Sequence, residues 1–259
     1  MGTIGDYAAE RELPGPPGEA CYETTHKMLP RRARMRVAKD LDAGKRLMRE
    51  ACILEALRHN GVPRVFEIGI EDGLPWIADE LIVGQPLSAP IAVNELATVL
   101  RETCTILAHV HRRGVIHDGI WLDAFVRVPE RGLCLANWRR ARLGDPAEGR
   151  EDVHALAMAI YAALPGSAPV AIMELLEKML APVDRLTAQD VVDQATHLGE
   201  TLGFDDPDIE EVVLLEDLSR DVPAPVPAHV IGKPKWTPAP PITETMASVP
   251  LRISVPKPA

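Results

Sequence analysis

Two histidines and two aspartates raise the first chemical question. His109 and His111 lead into the stretch Gly114-Val115-Ile116-His117-Asp118-Gly119-Ile120-Trp121-Leu122-Asp123-Ala124-Phe125-Val126. A histidine pair could hold a metal ion. Side chains two apart on a helix, however, point to different faces, so the pair is not read as a metal site. A second stretch, Leu133-Cys134-Leu135-Ala136-Asn137-Trp138-Arg139, follows closely.

Periodicity assigns the helices and strands that carry these residues. Residues 94–113 place Leu96, Val99, Leu100, Thr103, Ile106, Leu107 and Val110 on one face of a long helix. Phe125 to Val128 and Leu133 to Ala136 read as a hairpin around Pro129-Glu130-Arg131-Gly132. Residues 1–41 read as a small β-rich start, in which Gly15 and Gly18 mark a plain turn, Pro14-Gly15-Pro16-Pro17-Gly18-Glu19. Leu47 to Leu57 has apolar residues at helical spacing. Val65 to Ile70 and Leu74 to Leu81 read as strands joined by Glu71-Asp72-Gly73. Thr187 is the expected N-cap of a helix from Ala188 to about Leu202.

With 259 residues, 46% of them apolar, the chain can bury a sizeable core. The net charge of −10 is uneven. Residues 205–221 carry eight acids against Arg220 and enclose Val212-Val213-Leu214-Leu215 and Leu218. Residues 222–259 are rich in proline and weakly basic. Such a composition suits a disordered or polyproline-like segment. Nothing resembles an electrostatic footprint for nucleic acid. Cys21, Cys52, Cys104 and Cys134 form no C-x-x-C pair, so buried structural thiols in a reducing compartment are expected. The N-terminus lacks a basic-then-apolar signal pattern. The longest apolar stretch, Ala155 to Leu164, is too short to span a bilayer. The chain is therefore expected in the cytoplasm, without a membrane segment.

The two central stretches together resemble the catalytic loop and metal-binding loop of a bacterial serine/threonine protein kinase. The family signatures are H-R-D-L-x-x-x-N and D-F-G. Without a gap, His117 matches the histidine, Gly119 stands at the catalytic aspartate, Ala124 at the metal-binding asparagine, and Asn137-Trp138-Arg139 at D-F-G. Other segments add to the likeness. Ile4-Gly5-Asp6-Tyr7 and Arg11-Glu12-Leu13 resemble the first strand. Met35-Arg36-Val37-Ala38-Lys39 resembles the V-A-I-K strand, and the run around Glu50 resembles the helix that supplies its partner. Pro75 to Leu81 resembles the strand before the hinge, with Asp79 at the gatekeeper position. Asp152 matches a structural aspartate of the large lobe, and Arg185 a structural arginine in the segment that closes the domain. The resemblance covers roughly residues 4–202.

The resemblance implies an α+β, bilobal kinase-like fold: a small antiparallel lobe over residues 1–82 and a mainly helical lobe over 83–204, followed by the tail 205–259. It implies that Lys39 would contact phosphates and pair with Glu50, a structural salt bridge being the expected form. The chemistry-bearing positions are degenerate. The three positions of the phosphate-cradling glycines hold Pro14, Pro16 and Glu19, and proline has no N–H to offer. Only a short segment, Leu143 to Glu151, stands where the activation segment belongs, and A-P-E is absent. A carboxylate at Asp79 must find a partner or sit in a wet slot.

The expected function is thus that of a pseudokinase. It would scaffold or regulate another protein, an active kinase among the candidates, through the kinase-like domain and the Pro-rich tail. No cofactor is required on this reading. Lys39, Glu50 and Asn137 are the nucleotide contacts if ATP binds at all. One other register keeps the enzyme: with the arginine of H-R-D deleted, Asp118 becomes the base and Asp123 a ligand for Mg²⁺, giving an atypical ATP-dependent serine/threonine kinase.

Overall fold

The computed structural model describes residues 2–202, apart from residues 165, 167 and 184. The chain divides into two units, Met1–Pro207 and Asp208–Ala259. The acidic segment 205–221 and the proline-rich segment 222–259 lie outside the described residues. The first unit opens with β1 (Thr3–Ile4), β2 (Tyr7–Leu13), β3 (Glu19–His26), β4 (Arg32–Ala38), α1 (Leu41–Leu57), β5 (Val65–Glu71) and β6 (Leu74–Glu80). These strands make one six-stranded antiparallel sheet in the order β1-β2-β3-β4-β6-β5. The chain continues through β7 (Gln85–Pro86), α2 (Leu96–His111), β8 (Val115–Ile116), β9 (Phe125–Val128), β10 (Gly132–Leu135), β11 (Arg142–Leu143), α3 (Arg150–Ala162), α4 (Val170–Leu180) and α5 (Ala188–Leu202).

Strand alternation gives the sheet two unlike faces. One buries Ala33, Met35, Trp76 and Ala78 with Tyr7 in a cluster of its own. The other carries Arg34, Arg36 and Ala38 of β4, and Ile77 and Asp79 of β6, with Arg34 opposite Asp79 and Arg36 opposite Ile77. Helix α1 lies on this second face through Ala43, Leu47 and Ala51. Its last turns, Ile53, Leu54 and Leu57, enter the main core instead, which also takes in α2 to α5 and the β9–β10 hairpin. One helix is thus shared between the sheet and the helical core. Asp40 starts it, its carboxylate accepting from the Ala43 N–H at 2.7 Å.

The expected hairpins form where turn chemistry allows. Asp72 and Gly73 both take positive φ between β5 and β6, as a tight two-residue turn demands. Between β9 and β10, Phe125 pairs with Leu135 and Val128 with Gly132. The expected helix over 94–113 is a 3-10 turn, Val93–Glu95, followed by α2. At α5 the Asp190 N–H donates to the Thr187 hydroxyl at 3.2 Å, and the Thr187 N–H donates back to Asp190 at 2.8 Å. This reciprocal cap fixes the helix entry. Among the described residues no helix is long and apolar enough to cross a membrane. Thr187→Ala should cost about 1 kcal/mol in a urea titration.

Candidate functional site

The inner face of the sheet holds a cluster of five charged residues, four of them buried and Arg34 partly exposed. Arg36 sits at its centre, 4% exposed, with Glu19, Glu50 and Asp79 around it, each no more exposed than that. Its Nη1 donates to Glu50 Oε2 at 2.9 Å and lies 3.7 Å from Glu19 Oε2. Its Nη2 stands 3.0 Å from Asp79 Oδ2. Arg34 closes the set, donating through Nε and Nη2 to both oxygens of Asp79 at 2.8 Å each. Such a fork-to-fork pair is the strongest form of ion pair available to a carboxylate. Burial by itself lowers the pKa of both guanidiniums; Asp79 and Glu50 together outweigh it and keep them charged.

Lys39 is not part of this cluster. It lies beyond the end of β4 and is exposed, and its backbone N–H donates to the Gly18 carbonyl at 2.8 Å. The expected Lys39–Glu50 salt bridge is therefore replaced by Arg36–Glu50. The reason is parity: successive strand side chains alternate faces, and Arg36, not a residue three positions on, faces α1. Asp79 finds two partners rather than a wet slot.

Glu19 is the weak member. Both its carboxylate oxygens are buried without a hydrogen bond. Burial pushes its pKa up, and the nearby Arg36 only partly offsets this.

The second half of the site is held by Asp152. One carboxylate oxygen accepts from the His117 backbone N–H at 2.8 Å and faces His111 Nε2 at 3.0 Å; the other accepts from the Asp118 N–H at 2.9 Å. Burial alone would raise the Asp152 pKa, and the bonds from His111 and His117 more than reverse it. His117 is itself buried, its Nε2 against the Ala136 carbonyl at 2.9 Å and its ring edge-on to Trp138 at 4.8 Å. Burial lowers its pKa despite the nearby Asp152 carboxylate.

The loop after His117 departs from the backbone of ordinary turns. Asp118 takes a φ of 53° and points its carboxylate outward, 3.7 Å from Arg140 Nη2. The Arg140 chain also lies over Gly119, its Cδ 3.4 Å from where a Cβ would stand. Asp123 is exposed and Ala124 buried. Asn137 is exposed in the left-handed region, and Trp138 is buried with its Nε1 donating to the Leu135 carbonyl at 2.7 Å. Arg139 reaches across to the Pro14–Glu19 turn and donates to the Pro17 carbonyl at 2.9 Å. Arg185 donates to Glu151 at 2.7 Å and to the Ala181 carbonyl at 2.9 Å. His109 lies apart from His111, against the Leu57 carbonyl. Among the described residues no three His, Cys, Asp or Glu side chains converge as metal ligands.

No protein-family model matches the chain. Among curated proteins it is 26% identical over 159 residues to the serine/threonine-protein kinase Pkn1 of Myxococcus xanthus, covering 48% of this chain and 23% of that protein. It is also 26% identical over 208 residues to PknJ of Mycobacterium tuberculosis, covering 65% of this chain and 35% of that protein. PknJ of Mycobacterium bovis gives the same figures. The chain is kinase-like. Its likeness is to bacterial serine/threonine kinases, and it spans from 23% to 35% of the length of these relatives.

Sequence reasoning overlooked Arg34 and Arg36, and placed Glu19 in the phosphate-side turn without its approach to Arg36. A signal existed: Arg32-Ala33-Arg34-Met35-Arg36 alternates charged and apolar residues, which puts three arginines on one face of a strand.

Two measurements check this assignment. Arg36→Ala leaves three carboxylates short of their shared cation and should cost about 3–5 kcal/mol. Lys39→Ala should change stability by less than about 0.5 kcal/mol. Denaturant titrations of the two variants separate the registers. Glu19 carries the opposite sign. With its native pKa raised, its ionised form opposes folding at neutral pH, and that penalty disappears as pH falls through the raised value toward the ordinary carboxylate range. Glu19→Gln should therefore raise the urea midpoint at neutral pH and match the parent chain at about pH 4.

Proposed function

We propose that this kinase-like protein has lost phosphoryl transfer and works by binding another protein. The observation that carries the reading is the engagement of Arg36, at the strand position that faces the α1 glutamate, with three carboxylates of its own chain. A kinase needs that cation to meet the α- and β-phosphates and needs a loop of backbone N–H groups over them. Here Pro14, Pro16 and Pro17 offer no N–H, and Arg139 ties the Pro17 carbonyl down. The residues present do not fit ATP with Mg²⁺: Asn137 lacks the carboxylate charge that holds Mg²⁺ well, and Arg140 lies over Gly119.

On this reading the sheet with α1, residues 1–82, and the helical part, 83–204, are the two lobes of a kinase-like domain. The partner is a protein, an active kinase being the simplest candidate. The tail 205–259 is a further contact, and the setting is cytoplasmic. Neither Lys39 nor Glu50 serves a nucleotide.

A second reading is favoured by one feature. Asp118 is held by Asp152 in a left-handed conformation and presents its carboxylate to solvent. In the register that deletes one residue it is the base, with Asp123 as metal ligand. Transfer of labelled γ-phosphate from ATP to the chain itself and to a mixed basic substrate, with Mg²⁺, separates the two. The proposal expects parent and Asp118→Asn chains to give the same background. A tenfold or larger loss in Asp118→Asn would establish the atypical kinase instead.

A further inference from the structure

The sheet and helical parts leave one apolar groove open beside α1. A cavity of about 610 Å³ lies between the outer side of α1 and the β8–β11 pair, with Ile53, Val115 and Leu143 on its apolar wall and Arg49, Arg113 and Arg142 at its rim. Leu143 is 74% exposed, although its neighbours Val115 and Ile53 are buried. The groove is open because the chain leaves it at once. After β11 only Gly144 and Asp145 precede the capped 3-10 turn Pro146–Gly149, so no segment there is long enough to pass back over α1.

The rim is cationic and only partly neutralised. Arg142 pairs with Glu148 at 2.7 Å. Arg49 and Arg113 have no carboxylate partner among the described residues; they donate to the Arg139 carbonyl and to His109. An apolar wall flanked by unpaired guanidiniums asks for an apolar side chain flanked by acids. A phosphate group alone would leave the apolar wall in water, and a nucleic acid would meet a chain of net charge −10.

We infer that this groove docks an acidic amphipathic helix of a partner protein, its leucine-like side chains against Leu143 and Val115 and its carboxylates on Arg49 and Arg113. The inference rests on the protein-binding reading and names its surface.

Cys52 supplies the test. It is the exposed cysteine and belongs to the groove, whereas Cys21, Cys104 and Cys134 are buried. Burial pushes the Cys104 thiol up to about 12 and that of Cys134 up to about 11, so alkylation by iodoacetamide at neutral pH reports Cys52. Three helix-forming peptides serve as probes: leucines at i, i+3, i+4 and i+7 with glutamates elsewhere, the same leucines with lysines, and the same glutamates with serines for leucines. In the full chain the leucine–glutamate peptide should slow alkylation about tenfold, and the other two should not. Arg49→Glu with Arg113→Glu, both exposed positions, should abolish that protection; Leu143→Asp should do the same without touching the rim. No protection by the leucine–glutamate peptide, or equal protection by the lysine peptide, overturns the inference. So does a tenfold faster alkylation in a full chain carrying Val212→Ser, Leu214→Ser, Leu215→Ser and Leu218→Ser, which would give the groove to the chain's own acidic segment. Failure here leaves the phosphate-transfer result untouched, and a positive transfer result leaves the groove untouched.

Discussion

The structure turns on one buried cation. Arg36 stands among Glu19, Glu50 and Asp79 on the inner face of the sheet, where an unpaired charge of either sign would be very costly. The three carboxylates come from β3, α1 and β6, so the cluster can be satisfied only when the sheet is in register and α1 is docked on it. Its ion pairs need not add stability relative to an apolar core of the same shape. What they add is a constraint: Arg36, Glu50 and Asp79, once buried, require one another. Arg34 reinforces the set through its two bonds to Asp79. The constraint is incompletely met at Glu19, left without a hydrogen bond, and at the Nε and Nη2 of Arg36, which also lack one.

Asp152 imposes a similar constraint on the helical part. It gathers His111 and the backbone N–H groups of His117 and Asp118, and so fixes the loop that in a kinase carries the chemistry. On the proposed reading the scaffolding of that loop is kept while Gly119, Ala124 and Asn137 stand at its reactive positions. A fold can persist in this way because packing and hydrogen bonding hold it, whereas function resides in a few side chains grafted onto it. Similarity at 26% identity to bacterial serine/threonine kinases accords with a shared scaffold.

Much of this was legible in the sequence, for physical reasons. The β5–β6 turn shows in Asp72-Gly73, the α5 cap in Thr187, and the face of α2 in its apolar spacing. Each is a local signal read within a few residues. Asp152 could be placed through the family likeness, but its three donors come from distant positions. The error at Lys39 has the same origin. A lysine after Val-Ala satisfies a motif, yet the choice between it and Arg36 depends on strand parity and on where β4 ends. Asp79 held the missing clue, since a buried carboxylate demands a cation, and the alternating arginines across the sheet supply one. The groove beside α1 was beyond the sequence altogether, because it depends on how two non-adjacent elements pack.

The central claim is that Arg36 is committed to its own carboxylates and closes the site to nucleotide. The most direct measurement is the thermal unfolding midpoint of the full chain with and without ATP, in Mg²⁺ and in EDTA. A ligand at about 100 times its dissociation constant adds about 2.7 kcal/mol of stability, which is readily seen as a shift. The account predicts no shift in either condition, in the parent chain and in Lys39→Ala alike. A shift in the parent chain, with or without Mg²⁺, would contradict it.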